Sequence, residues 1–229
     1  MPADHHNDTD APELRLAAEF EREYADALLT GETEAAEAVI RDAIEAGLDE
    51  AVIDDHVIGP AMVLVGDLWA DGRITIAEEH LATSISVRVL MLQREAFRVA
   101  RRRATQRVLL AGAEGELHVV GLEMAGSVIL HAGYDVRLFG ADLPVAEISS
   151  AIDRHRPAVI GFTAATVQTA FNLPAAFDAV RRVSPDTGIV VGGRGVDDLL
   201  AASWDVVVCH HVSDAVGHVD SFVRRAGLN

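Results

Sequence analysis

The sequence contains no lysine, and all 19 of its basic side chains are arginine. That absence rules out a lysine Schiff base and a Walker phosphate lysine, and with them lysine-dependent cofactor chemistry and ordinary P-loop hydrolysis. Bases of any kind are scarce, 19 against 36 acids, for a formal net charge of -17. A chain so acidic is poorly suited to neutralising phosphates, so no direct contact with nucleic acid is expected. Cysteine occurs once, as Cys209. A single thiol allows no internal disulfide and fits a reducing cytoplasm. No apolar run approaches the roughly 18 residues read as a membrane helix, and the opening MPADHHNDTDAPE is acidic and polar where a signal peptide is basic and then apolar. Neither export nor a membrane span is predicted.

What is present is a 229-residue chain, 50% hydrophobic, able to bury the core of one large or two small domains. From Glu13 to Arg103 the apolar residues fall at helical spacing, with breaks at Gly31, Gly47 and Gly72. The spacing predicts helices over 12–29, 32–46 and 49–70, and a fourth opening at TIAE, where Thr75 and Glu78 stand at capping-box distance. Short connections make these helices antiparallel neighbours in a four-helix bundle. Asp54, Asp55 and His56, inside the third helix, read as solvated or paired with a neighbouring helix. The basic run 101–103 reads as a linker, and residues 1–11 as a disordered tail.

After RRRATQ the pattern changes to five short apolar runs, RVLLAG, DVRLFG, AVIGFT, GIVVGG and DVVVCH, each followed by an amphipathic stretch. Such alternation indicates a parallel sheet with helices on both faces, whose ligands sit beyond the carboxyl ends of the strands. The expected fold is α + α/β: a helical bundle over 12–103, then a five-stranded, flavodoxin-like (Rossmann-type) domain over 107–229.

The unusual residues of the second half lie at those strand ends: Glu116 and His118, Thr163 and Thr166, Gly192 and Gly193. His118 either caps a helix or binds something. Glu116, two residues earlier, can accept the ring N–H directly or through water or a neighbouring group, an arrangement that raises the basicity of a metal-ligating histidine. Gly121 lets the helix start stand clear of a large planar ligand, and Gly192-Gly193 either makes room for a bulky group or forms a turn. His5-His6 and His210-His211 lack partners at zinc-ligand spacing, and no Gly-x-Gly-x-x-Gly follows the first strand.

The segment Glu116-Leu117-His118-Val119-Val120-Gly121 resembles the Asp-x-His-x-x-Gly signature of cobalamin-binding domains, with Glu in place of Asp. The resemblance implies that His118 replaces the cofactor's own benzimidazole as the metal ligand beneath cobalt, with Glu116, Leu117, Val119 and Gly121 around it. It also implies that the nucleotide tail runs along Thr163 and Thr166 of GFTAAT and Gly192 and Gly193 of VVGGRG. In the first half, WADGRITIAEEH sets nine residues between Trp69 and Glu79-His80. This resembles the Trp-x9-Glu-His signature of the helical cap in cobalamin-dependent light-sensing regulators. By that resemblance Trp69 supplies an apolar plate for an upper ligand, and Glu79 and His80 supply hydrogen bonds. Met62 and Val65, one to two turns before Trp69, are expected to share that face.

The resemblance spans about residues 12–229 and departs in two places. Ala70 stands where those regulators carry the histidine that captures cobalt after photolysis, and with only about a dozen polar residues before the first expected helix, the DNA-binding domain that usually precedes the cap is not expected here. What it implies is a light-sensing module using adenosylcobalamin, signalling as a homo-oligomer or through an effector protein. A bilin such as biliverdin is a second expected chromophore, held noncovalently because Cys209 is the only thiol. The alternatives are a corrinoid protein carrying methyl groups between methyltransferases and a cobalamin storage or trafficking protein. A stand-alone enzyme is not expected.

Overall fold

The computed structural model describes residues 12–97 and 106–227, apart from the side chains of 199–201. The chain divides between Phe97 and Arg98 into two compact units. The tail 1–11 and the linker 101–103 lie outside the described residues.

The first unit is helical: α1 Pro12–Thr30, α2 Thr33–Glu45, α3 Glu50–Ile53, α4 Gly59–Ala70 and α5 Ile76–Ala96. The Thr75–Glu78 capping box opens α5: the Thr75 N–H donates to the Glu78 carboxylate at 2.6 Å, and the Glu78 N–H donates to the Thr75 hydroxyl at 3.3 Å. The third expected helix is not continuous, because a π-helical turn, Asp54–Ile58, separates α3 from α4. The sequence at that point explains it. Pro60 has no N–H and its ring crowds the carbonyl one turn earlier, so the helix widens ahead of it. The Gly59 N–H closes the turn on the Asp54 carbonyl five residues back, where a Cβ at Gly59 would lie 2.8 Å from that oxygen.

This wide turn carries Asp54 inward. Only 1% of Asp54 is exposed, and Gln93 Nε2 of α5 donates to its Oδ1 at 2.9 Å. Of the two sequence readings, pairing with a neighbouring helix therefore holds for Asp54 and solvation does not; His56 is exposed. Burial pushes the Asp54 carboxyl up to about 8, against the Gln93 hydrogen bond, with Glu50 and Asp55 adding to the rise and Arg94 opposing it. A second buried chain joins three helices: the Tyr24 hydroxyl of α1 donates to Ser86 Oγ of α5 at 3.0 Å, and Ser86 Oγ donates to Met62 Sδ of α4 at 3.1 Å.

The second unit alternates strand and helix: β1 Arg107–Gly112, α6 Val120–His131, β2 Asp135–Gly140, α7 Val145–His155, β3 Val159–Thr163, α8 Val167–Ala170, α9 Leu173–Val183, β4 Gly188–Gly192, α10 Asp198–Trp204, β5 Val207–Cys209 and α11 Ala215–Arg225. All strand pairs are parallel, in the order β2-β1-β3-β4-β5. β1 and β3 read as unbroken apolar runs because both faces of the sheet are covered. α7 packs beside α9, and α11 packs beside α6. Leu109, Ile160, Phe162, Phe177 and Ile189 form the dry centre of one core. Full burial of each is worth about 1.5–3 kcal/mol.

In this order the chain leaves β1 toward β2 on one side and returns to β3 on the other. The switch point of the sheet, the place where open α/β sheets bind their ligands, therefore lies at the loops after β1 and β3. No described helix is long and apolar enough to cross a membrane.

Candidate functional site

Residues 113–119 follow β1 at that switch point. The Glu116 N–H donates to the Ala113 carbonyl at 2.8 Å, which turns the chain and sends the Glu116 side chain inward. The whole residue is buried, with 0% exposure. Its Oε1 takes the His118 backbone N–H at 2.8 Å and lies against the same residue's Nδ1. Its Oε2 takes the Ala165 N–H at 2.5 Å and the Thr169 hydroxyl at 2.7 Å, both from the segment after β3.

Burial alone would raise this carboxyl, but the bonds from the His118 ring, the His118 N–H, the Ala165 N–H and the Thr169 hydroxyl outweigh it and hold Glu116 at about 2. The carboxylate is therefore ionised and fully engaged. His118, whose side chain is 58% exposed, has Nδ1 turned to Glu116. Nε2 is then the nitrogen on the outward side of the ring. His118 is not the N-cap of α6, since Val119 occupies that position.

Three large apolar side chains stand exposed near the same edge: Leu117 at 71%, Val167 at 60% and Phe171 at 77%. Val119 is half-buried, and a Cβ at Gly121 would meet nothing within 4 Å, so the surface over the first turn of α6 is open. Thr163, at the end of β3, buries its hydroxyl oxygen without a partner. Thr166 caps α8 through reciprocal bonds with Thr169.

The glycine pair at the end of β4 lets backbone segments approach closely. Gly193 has φ +109°, and a Cβ there would lie 2.3 Å from the Ala164 carbonyl oxygen. Its missing side chain lets the loops after β3 and β4 close on each other. Gly192 ends β4 with a Cβ position 3.3 Å from the Cys209 carbonyl.

In the helical unit, Trp69 is 46% exposed near the end of α4, with exposed Ala70 next to it. Glu79 Oε2 pairs with His80 Nδ1 at 2.6 Å, and its Oε1 accepts from Thr83 at 3.0 Å. Met62 is half-buried and points its sulfur at Ser86. Val65 departs from expectation. It is 0% exposed, because Ala61, Val65 and Leu68 share the inward stripe of α4, and it presents no surface to a ligand.

His210, read from sequence as lacking a carboxylate, is paired by the fold with Asp198 Oδ1 at 3.1 Å. Even so, the described residues contain no cluster of three or more metal-ligating side chains. Cys209 is partly buried and donates to the His211 carbonyl at 3.1 Å. Thr169, Ala165 and Phe171 were missed from sequence; only the Thr166-x-x-Thr169 spacing hinted at a local bond.

Residues 20–91 and residues 106–220 each match a family described as B12 binding domain. The chain belongs to the B12-binding family. As a B12-binding chain it is 27% identical over 146 residues to the HTH-type transcriptional repressor CarH of Myxococcus xanthus, covering 64% of this chain and 48% of the repressor. It is 25% identical over 191 residues to the methanol–corrinoid protein of Methanosarcina barkeri, covering 82% of this chain and 72% of that protein. The chain thus spans about half the length of the repressor it matches. Among solved structures, the monomethylamine corrinoid protein of Methanosarcina barkeri shares the fold with a TM-score of 0.76 at 14% identity, over 87% of this chain and 96% of that one.

The residues present fit a corrinoid. A cobalt carried in its own macrocycle needs one protein nitrogen, not a cluster, and a histidine oriented by a buried carboxylate would supply it. The buried Thr163 hydroxyl, without a partner, would be free to donate to a polar group of a bound cofactor.

Proposed function

We propose that this B12-binding chain holds adenosylcobalamin with His118 beneath the cobalt and acts as a light-sensing module. The observation that carries the binding mode is the buried Glu116 carboxylate fixing His118 Nδ1 at the carboxyl end of β1. Glu116 keeps the imidazole in the tautomer that leaves the lone pair on Nε2, and its charge favours donation toward a metal. Leu117, Val119 and Gly121 would underlie the macrocycle, and Thr163, Thr166, Gly192 and Gly193 would line the path of the tail.

Trp69, Glu79, His80 and Met62 are assigned to the upper ligand. An exposed indole offers an apolar plate, and the Glu79–His80 pair offers an acceptor and a donor for hydroxyls and a base. Bound cofactor would supply a weak, photolabile cobalt–carbon bond. The chain's own residues would then govern the response to its cleavage. Ala70 has no lone pair, so no histidine-capped photoproduct is expected at that position. Output through altered self-association or an effector protein, and a noncovalent bilin, belong to the same proposal.

The second reading is a methyl carrier, favoured by the 82% of this chain that aligns with the methanol–corrinoid protein. Absorbance of the adenosylcobalamin-loaded chain in darkness and after green light, with elution volume measured in both states, separates the two. A light-dependent change in both supports the sensor. An unchanged elution volume with ready exchange of methyl for adenosyl supports the carrier.

A further inference from the structure

The loop that presents His118 is tied down at three successive residues by three other elements. Asp142, between β2 and α7, accepts the Gly115 N–H on Oδ1 at 2.7 Å and returns its own N–H to the Glu116 carbonyl at 2.8 Å. Asn172, between α8 and α9, donates from Nδ2 to the Glu114 carbonyl at 2.6 Å. The Glu114 carboxylate in turn takes the Val145 N–H at 3.1 Å in the first turn of α7. In each of these bonds Asp142 and Asn172 hold the backbone of the loop, not the imidazole or the Glu116 carboxylate.

Two backbone features accompany this bracing. Asp142 has φ +53° and Gly115 has φ +84°. A non-glycine residue in the left-handed region costs about 1 kcal/mol, and Asp tolerates it better than most. That conformation is held here by bonds on both sides of the same residue. An outlier of this kind, beside the loop that carries His118, is a reason to look for a role.

We infer that Asp142 and Asn172 are positioning residues which set the His118 loop in its ligating geometry before any cofactor arrives. They fix the backbone of 114–116; that backbone sets where the Glu116 carboxylate points, and the carboxylate orients the imidazole. A loop free to sample other shapes would have to be ordered at the moment of binding, and affinity would fall accordingly. The inference rests on the cobalamin reading for its consequence, but not for its structural content.

The test uses the full-length chain as wild type, Asp142→Ala, Asp142→Asn, Asn172→Ala and His118→Ala. Amide hydrogen exchange in the cofactor-free protein is read at Gly115 and His118, and hydroxocobalamin is titrated with its spectrum recorded. Asp142→Ala and Asn172→Ala should each speed exchange at those two amides about tenfold and weaken binding by about tenfold, the scale seen when partners behind a metal ligand are removed. They should also lower the fraction of bound cofactor in the histidine-ligated form. Asp142→Asn keeps an acceptor and tolerates positive φ, so it should restore all three. Should Asp142→Ala unfold, Asn172→Ala carries the comparison alone. Unchanged exchange at Gly115 and His118 in the Ala variants overturns the brace, whatever the binding result. Retention of the histidine-ligated spectrum in His118→Ala overturns the cobalamin reading instead.

Discussion

The Thr169 hydroxyl donates to Glu116 Oε2 at 2.7 Å, so a carboxylate that belongs to the loop after β1 is completed by the start of α8. The side chain two residues before His118 therefore answers to two loops.

Thr169→Val removes that donor while keeping the shape. Glu116 loses one of its four bonds, and His118 should be held less firmly. We expect cobalamin affinity to drop about tenfold, with Thr169→Ser restoring it; isothermal titration of both variants checks this.

Gly193→Ala should be severe. The added Cβ meets the Ala164 carbonyl at 2.3 Å, at a φ of +109° that alanine rarely adopts. A loss of about 3 kcal/mol or more is expected, as for strain that has no room to relax. Urea denaturation measures it, and Gly121→Ala, whose Cβ meets nothing within 4 Å, serves as the control.

Asp54 makes the stability of the helical unit depend on pH. Its carboxyl sits at about 8 when folded against 3.8 ordinarily, so the folded state holds the proton more tightly. The stability it contributes is fully present below about pH 4, declines as pH rises, and is gone once pH passes about 8. Asp54 Oδ2 and Gln93 Oε1 both lack partners, and a proton on Oδ2 gives this buried pair a donor to offer. Asp54→Asn carries that donor permanently. Chemical denaturation at pH 5 and pH 9 should show a smaller loss of stability in the variant than in wild type.

Trp69→Ala should narrow the preference for adenosylcobalamin over methylcobalamin, because an exposed plate matters most to the larger ligand. Competitive titration of the two cobalamins reads it. Equal preference in wild type and variant would remove Trp69 from the upper face.

The strands, the capping box and the Glu116–His118 pair were legible in the sequence because each is a local pattern, its members no more than a few residues apart. Their completion was not. Ala165 and Thr169 reach Glu116 from 49 and 53 residues away, and Asp142 and Asn172 brace the loop across 27 and 58. Only the strand order β2-β1-β3-β4-β5 brings them together. Val65 was misplaced for a different reason. Spacing from Trp69 put it within one to two turns, but four residues from Ala61 and three from Leu68 put it on the buried stripe. The π-helical turn at Asp54 was hidden because a widened turn keeps the apolar rhythm while shifting its phase.

His118 as the nitrogen donor beneath cobalt is the assignment on which the binding mode depends. The most direct test is electron paramagnetic resonance of the chain loaded with cob(II)alamin, prepared with natural-abundance histidine and again with ring-15N histidine. Ligation by His118 predicts that the superhyperfine splitting changes from the triplet of a spin-one nitrogen to a doublet on labelling, and that His118→Ala loses the labelled pattern. A triplet that survives histidine labelling would mean that the cofactor keeps its own base, and would contradict the assignment.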